Sequence, residues 1–230
     1  MTNATNTKTT FISNFTADDI SEAAYLTELT WGDEMALTHE ALKHVLYEAL
    51  VRYYLRSSSF SFKLSEGTLP TNKQEEATNA HTSESLSEAA TMQGFLLAAP
   101  LAARDSSQSW LKAALKPFAS EEQDLVYNYL RYLSYNGQQV RKLAECHGAL
   151  ALVLYLFLSR KAGVGSTLLR NIEEVARAHG LTQLYLWADA TCDYDYYLRR
   201  GYRAAGHFVN RVLPALGEQE TWVYVKELEG

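Results

Sequence analysis

The sequence predicts an α/β fold, and three stretches predict it: an apolar run at residues 149–158, a glycine turn followed by an amphipathic stretch, and a second apolar run at 184–187. The first run (A-L-A-L-V-L-Y-L-F-L) is too short to cross a bilayer as a helix and has the Leu, Val, Tyr and Phe content of a strand buried on both faces. After Gly165, the residues Leu168, Leu169, Ile172, Val175 and Ala176 recur at helical spacing. Glu173 and Arg177 stand four apart on the expected wet side, and Gly180 supplies the stop. Strand, glycine loop, helix and strand is the implied order.

Residues 1–10 are polar and expected to fray, with a first strand around 9–15. Helices are read over 18–30 and 38–55, and strands over 60–64 and 93–99. Between those strands, residues 65–91 hold almost no large apolar side chains and cannot bury enough surface to offset their ordering entropy. This segment reads as an enlarged, disordered loop within one domain spanning 1–230. Residues 106–145 place Trp110, Leu111, Leu115 and Phe118, then Leu125, Tyr129, Leu130, Tyr132 and Leu133, as two helices inserted before the first apolar run. If an active site lies nearby, such an insertion is where the pocket for an acceptor substrate would be shaped. A short tyrosine-rich helix capped by Asp193 ends at Gly201, and strands near 204–210 and 221–226 close the chain.

The chemistry gathers in two phrases. In R-K-A-G-V-G-S, Gly163 and Gly165 let the main chain approach a phosphate closely. The unpaired N–H groups of the following first helical turn then point at it, with the positive end of the helix dipole behind them and charge from Arg160 and Lys161 at the mouth. A Walker loop is excluded because no lysine follows Gly165, and the dinucleotide fingerprint because position 168 is Leu. The second phrase, C-D-Y-D-Y-Y-L-R-R-G-Y, sets Tyr194, Tyr197 and Leu198 on one helix face and Tyr196 with Arg200 on another.

Together, R-x-x-G-x-G (Arg160, Gly163, Gly165) and the pattern of Asp193, Tyr196, Tyr197, Gly201 and Tyr202 resemble the GNAT superfamily of acyl-CoA-dependent N-acyltransferases. The resemblance is specific over about 149–208. It implies a mixed, mostly antiparallel sheet flanked by helices, parallel and splayed where CoA enters. It also implies acetyl-CoA as co-substrate, held by backbone amides of Arg160, Lys161, Ala162, Gly163, Val164, Gly165 and Ser166, with Asp193 alongside. A strand N–H near Leu156, Phe157 and Leu158 would polarise the thioester carbonyl, and Tyr197 would be the general acid. Members commonly carry a Glu at the start of the strand before the loop. Here Ala149 or Ala151 falls there, so Glu145 or His147, just upstream, becomes the expected proton acceptor through water.

The implied reaction is transfer of an acetyl group to the amine of a small molecule or peptide by direct attack, with no covalent enzyme intermediate. The alternative is a catalytically impaired CoA-binding sensor or partner module, which the missing Glu favours. A net charge of −6 argues against a nucleic-acid partner and suits a cationic amine. No apolar run is long enough for a membrane span and no signal peptide is read, so a cytoplasmic enzyme is expected, with a homodimer left open. No metal is expected: Cys146 and Cys192 lie far apart, and His39 and His44 stand five apart on a helix surface. Cys192 reads as a packed small residue.

Overall fold

The computed structural model describes residues 8–31, 40–68, 90–101, 109–159, 161–189, 192–213 and 217–229. Seven strands form one sheet: β1 (Lys8–Asn14), β2 (Phe60–Thr68), β3 (Thr91–Pro100), β4 (Ala151–Ser159), β5 (Gln183–Asp189), β6 (Arg203–Asn210) and β7 (Gln219–Glu227). Their order is β1-β2-β3-β4-β5-β7-β6, and every neighbouring pair is antiparallel except β4 and β5. After a single 3-10 turn, α1 (Ile20–Trp31) and α2 (Glu40–Ser57) follow β1. Helices α3 (Ser109–Leu115) and α4 (Ser120–Cys146) lie between β3 and β4, α5 (Val164–Ala178) between β4 and β5, and α6 (Tyr194–Leu198) between β5 and β6.

The sheet separates two apolar cores, because strand side chains alternate between faces. On β3, Phe95, Leu97 and Ala99 pack into the core shared with α1, α2, α3 and α4. Leu96 and Ala98 pack into the other core, with Leu168, Leu169, Ile172 and Ala176 of α5. Strand β4 begins the same way, with Ala151, Val153 and Tyr155 on the first side and Leu152 and Leu154 on the second. The alternation then slips by one: Phe157 packs on the second side and Leu158 on the first. The pairing register explains it, since Ala98 faces Leu154 and Leu97 faces Leu156, leaving Tyr155 as an extra residue in a β-bulge.

Three expectations are corrected at their edges. Residues 65–68, read as the start of the disordered loop, belong to β2, where Ser65 faces Phe11 and Thr68 faces Lys8. The same pairing takes 8–10 out of the frayed start. Residues 1–7 and 69–89 lie outside the described residues. Glu173, expected on the wet side of its helix, is largely buried and accepts a 2.7 Å hydrogen bond from Lys226 of β7, with Arg177 farther off at 3.7 Å. Among the described residues, no helix is long and apolar enough to cross a membrane.

Candidate active site

The parallel ladder between β4 and β5 runs only from Ala151 facing Gln183 to Val153 facing Tyr185, although β4 continues to Ser159 and β5 to Asp189. Beyond Val153 the two strands splay. On its other edge β5 keeps pairing with β7 along its whole length, so the opening forms on the β4 side. The bulge at Tyr155 turns the β4 backbone just where the opening begins. Successive N–H groups of a strand alternate between its two edges, so past Val153 β4 presents every second N–H, one of those at 157 and 158 among them, to an edge with no ladder across it.

The start of α5 follows β4. Gly163 takes a left-handed conformation (φ 88°) as the cap, a backbone shape that L side chains rarely adopt. Its carbonyl accepts from both the N–H and the hydroxyl of Thr167, each at 3.0 Å. The Val164 N–H bonds back to the Lys161 carbonyl at 3.2 Å, so the loop itself satisfies that amide. Gly165 and Ser166, in the first turn, have no acceptor in the preceding turn of the helix. Ala162 is exposed, and Lys161 is paired with Glu66 of β2 at 2.8 Å, which offsets part of the charge expected at the mouth. Arg160 lies outside the described residues, as does the side chain of Leu156, whose backbone pairs with Leu97.

The second phrase forms the facing wall. Asp193 caps α6 by accepting the Tyr196 N–H at 3.2 Å. Gly201 (φ 82°) reverses the chain, and the Tyr202 N–H returns to the Tyr197 carbonyl at 3.2 Å. Tyr197 is thereby set among three rings: Tyr196 and Tyr202 edge-on at 5.4 and 5.8 Å, and Tyr224 stacked at 6.1 Å. Burial pushes its phenol well above the ordinary value, with Cys192, Tyr196 and Asp193 adding to the shift. Leu198, expected on the same face, is instead exposed.

Phe157, Leu158, Asp193 and Tyr197 come together around a cavity of about 620 Å³. Tyr196 lines this cavity and also a second cleft, of about 420 Å³, with Arg170, Glu173, Arg199, Arg200 and Lys226. Arg200 lies over the Tyr196 ring at 4.8 Å and donates a hydrogen bond to the Ser166 hydroxyl, which joins the basic cleft to the first turn of α5. The Tyr196 hydroxyl is buried with no hydrogen-bond partner.

Several wall residues lie outside the two phrases, with Tyr129 and Tyr132 falling in the insertion expected to shape an acceptor pocket. Trp31 comes from α1, Tyr129 and Tyr132 from α4, Tyr155 from the bulge, and Trp187 and Asp189 from β5. Tyr132 donates to Asp189 Oδ2 at 3.3 Å and Cys192 to Oδ1 at 3.6 Å. The Tyr132 phenol is also pushed up, first by burial and then by the Asp189 carboxylate. Glu145 and His147, the expected proton acceptors, do not reach this cavity. Both are exposed at the end of α4, before the start of β4, and neither lines the cavity.

Among the described residues, no three His, Cys, Asp or Glu side chains gather as a metal site requires. No family model matches the sequence, and no curated protein matches it. Solved structures do. A mosquito protein (Aedes aegypti) described as an arylalkylamine N-acetyltransferase superposes with a TM-score of 0.55 at 12% identity, over 96% of this chain and 88% of that one. A protein described as a phosphinothricin N-acetyltransferase superposes with a TM-score of 0.50 at 10% identity, over 96% of this chain and 100% of that one. With these superpositions and its mixed, mostly antiparallel seven-stranded sheet, this chain has the GNAT N-acyltransferase fold.

Proposed function

We propose that the protein transfers an acetyl group from acetyl-CoA to the amine of a small molecule or peptide. The observation that carries this reading is the opening between β4 and β5, with the first turn of α5 following its β4 wall and Tyr197 on its facing wall. The site's chemistry fits CoA. The N–H groups of Gly165 and Ser166, at the positive end of the α5 dipole, suit a pyrophosphate. The adjoining cleft with Arg170, Arg199, Arg200 and Lys226 suits the phosphorylated adenosine. The apolar cavity suits the pantetheine arm, which would run along the unpaired edge of β4.

Within that arrangement whichever N–H of Phe157 or Leu158 lies on the unpaired edge of β4 would polarise the thioester carbonyl, in a cleft from which the substrate would displace water. The amine nitrogen attacks the carbonyl carbon, the C–N bond forms, and the tetrahedral intermediate expels the thiolate as the C–S bond breaks. Tyr197 donates the proton that the sulfur takes up. No side chain needs to be acylated, and the Cys192 thiol has a structural partner in Asp189.

Ser166→Asp tests the cofactor assignment. Aspartate in the first turn of a helix favours the fold, while its charge would stand where the pyrophosphate is bound. Acetyl-CoA affinity measured by calorimetry should fall on the order of 100-fold, and amine-dependent thiol release should fall with it. Unchanged affinity in a folded variant would remove this reading.

A further inference from the structure

The cofactor half of the site does not choose the acceptor, but the remaining wall does. Trp31, Tyr129, Tyr132, Tyr155 and Trp187 give the cavity broad aromatic surfaces. Among the described residues lining it, no Lys, Arg or His is present, and the charged side chains are the carboxylates of Asp189 and Asp193. Asp193 caps α6, lies 3.5 Å from Arg199 and is 70% exposed, which puts it at the rim. Asp189 is half-buried at the end of β5. The register of Ala151 with Gln183 brings Asp189 about level with Phe157, across the opening from the bulged strand. Tyr132 and Cys192 hold its two oxygens.

Resting on the acetyl-transfer reading, we propose that the acceptor is a primary amine on an aromatic or similarly bulky apolar body without a carboxylate, and that Asp189 binds its ammonium group and takes its proton. Aromatic faces attract both an apolar body and a cation. An acceptor carboxylate would enter a cavity whose lining offers it no cation and two like charges. The protons balance: the ammonium gives one to Asp189 and thence to solvent, leaving the lone pair that attacks. The second N–H proton is lost as the amide forms, and the thiolate gains one from Tyr197, which is reprotonated. Ammonium and acetyl-CoA thus become amide, free thiol and one released proton. This role supplies from β5 the carboxylate that Ala149 and Ala151 do not supply from β4.

The experiment compares phenethylamine, phenylalanine and spermidine. The first two differ by a carboxylate alone, and the third carries charge without an apolar body. Each is titrated calorimetrically into the protein saturated with CoA, which cannot transfer, and each is assayed with acetyl-CoA for thiol release. Phenethylamine should bind, with kcat/KM about 100-fold or more above both others. Asp189→Asn should lower kcat/KM for phenethylamine on the order of 100-fold while CoA affinity stays the same. Equal or better use of phenylalanine or spermidine, or no phenethylamine binding, overturns the acceptor class. An unaltered kcat/KM in Asp189→Asn overturns the role of that carboxylate. If this variant does not fold, Tyr132→Phe, which keeps the ring and loses only the donor to Asp189, should raise KM for phenethylamine, and an unchanged KM counts against the role. Phenethylamine binding without any thiol release sustains the acceptor class and instead removes the acetyl-transfer reading.

Discussion

The fold surrounds Tyr197, the proposed proton donor, with rings. Burial disfavours the phenolate, so the hydroxyl keeps its proton beyond its ordinary value of about 10. A thiol titrates near 8.5, so the donor is protonated throughout the range in which a thiolate must be neutralised. Tyr197→Phe removes one hydroxyl and leaves the ring contacts with Tyr202 and Tyr224. Acetyl-CoA affinity should therefore hold while kcat falls on the order of 100-fold. In the parent protein kcat should show no alkaline fall below about pH 10 from loss of this acid, because the shift is upward. Tyr196 makes the comparison informative: its hydroxyl is buried, unpartnered and on the wall of the same cavity. A fall in kcat with Tyr196→Phe and none with Tyr197→Phe would move the acid by one residue.

At the scale of elements, α4 is the piece that completes the cavity, and two features lock it. Asn210 at the end of β6 donates to the Tyr132 carbonyl at 3.1 Å and to Asn136 Oδ1 at 2.6 Å, while its own Oδ1 accepts the Val212 N–H at 2.8 Å. Arg141 donates to the Leu101 carbonyl and to the Tyr155 hydroxyl. Tyr132 and the bulge are thus held from one helix. Asn210→Ala would leave buried acceptors on α4 without their donor and should cost about 2 kcal/mol in urea unfolding with an unchanged m-value. Because Tyr132 is displaced, KM for the amine should rise, whereas acetyl-CoA affinity should not change. The insertion was legible as helix because Leu125, Tyr129, Leu130, Tyr132 and Leu133 repeat at helical spacing. The bulge was not. It breaks an alternation between faces, and residues 149–158 are apolar on both, so the sequence shows no break.

For the molecule as a whole, what could be read from the sequence was contiguous. The glycine cap of α5, the Asp193 cap and Tyr197 each lie within a short phrase whose spacing states their geometry. Asp189, Tyr132 and Trp31 converge from β5, α4 and α1, so only the folded chain brings them to one wall. The inserted helices were legible as a place for an acceptor pocket, and Tyr129 and Tyr132 do line the cavity, whereas Asp189 and Trp31 gave no such signal; Glu145 and His147 are near β4 in sequence, and neither lines the cavity. The same reasoning applies at the β2–β3 junction. Glu66 faces Thr91 across the two strands, and a Cβ at Gly67 would lie 3.0 Å from that of Ala90, so the described ends of the hairpin already stand together. A four-residue turn can join them in place of residues 69–89. Shortening a connection by about two doublings of length removes roughly 1–1.5 kcal/mol of closure entropy. For a chain of this size that raises the melting temperature by about 2–6 °C, with acetyl-CoA affinity unchanged. A lowered melting temperature in the shortened protein would show that residues 69–89 contribute packing that outweighs the entropy of closing them, and a loss of acetyl-CoA binding would tie them to the mouth where Glu66 meets Lys161.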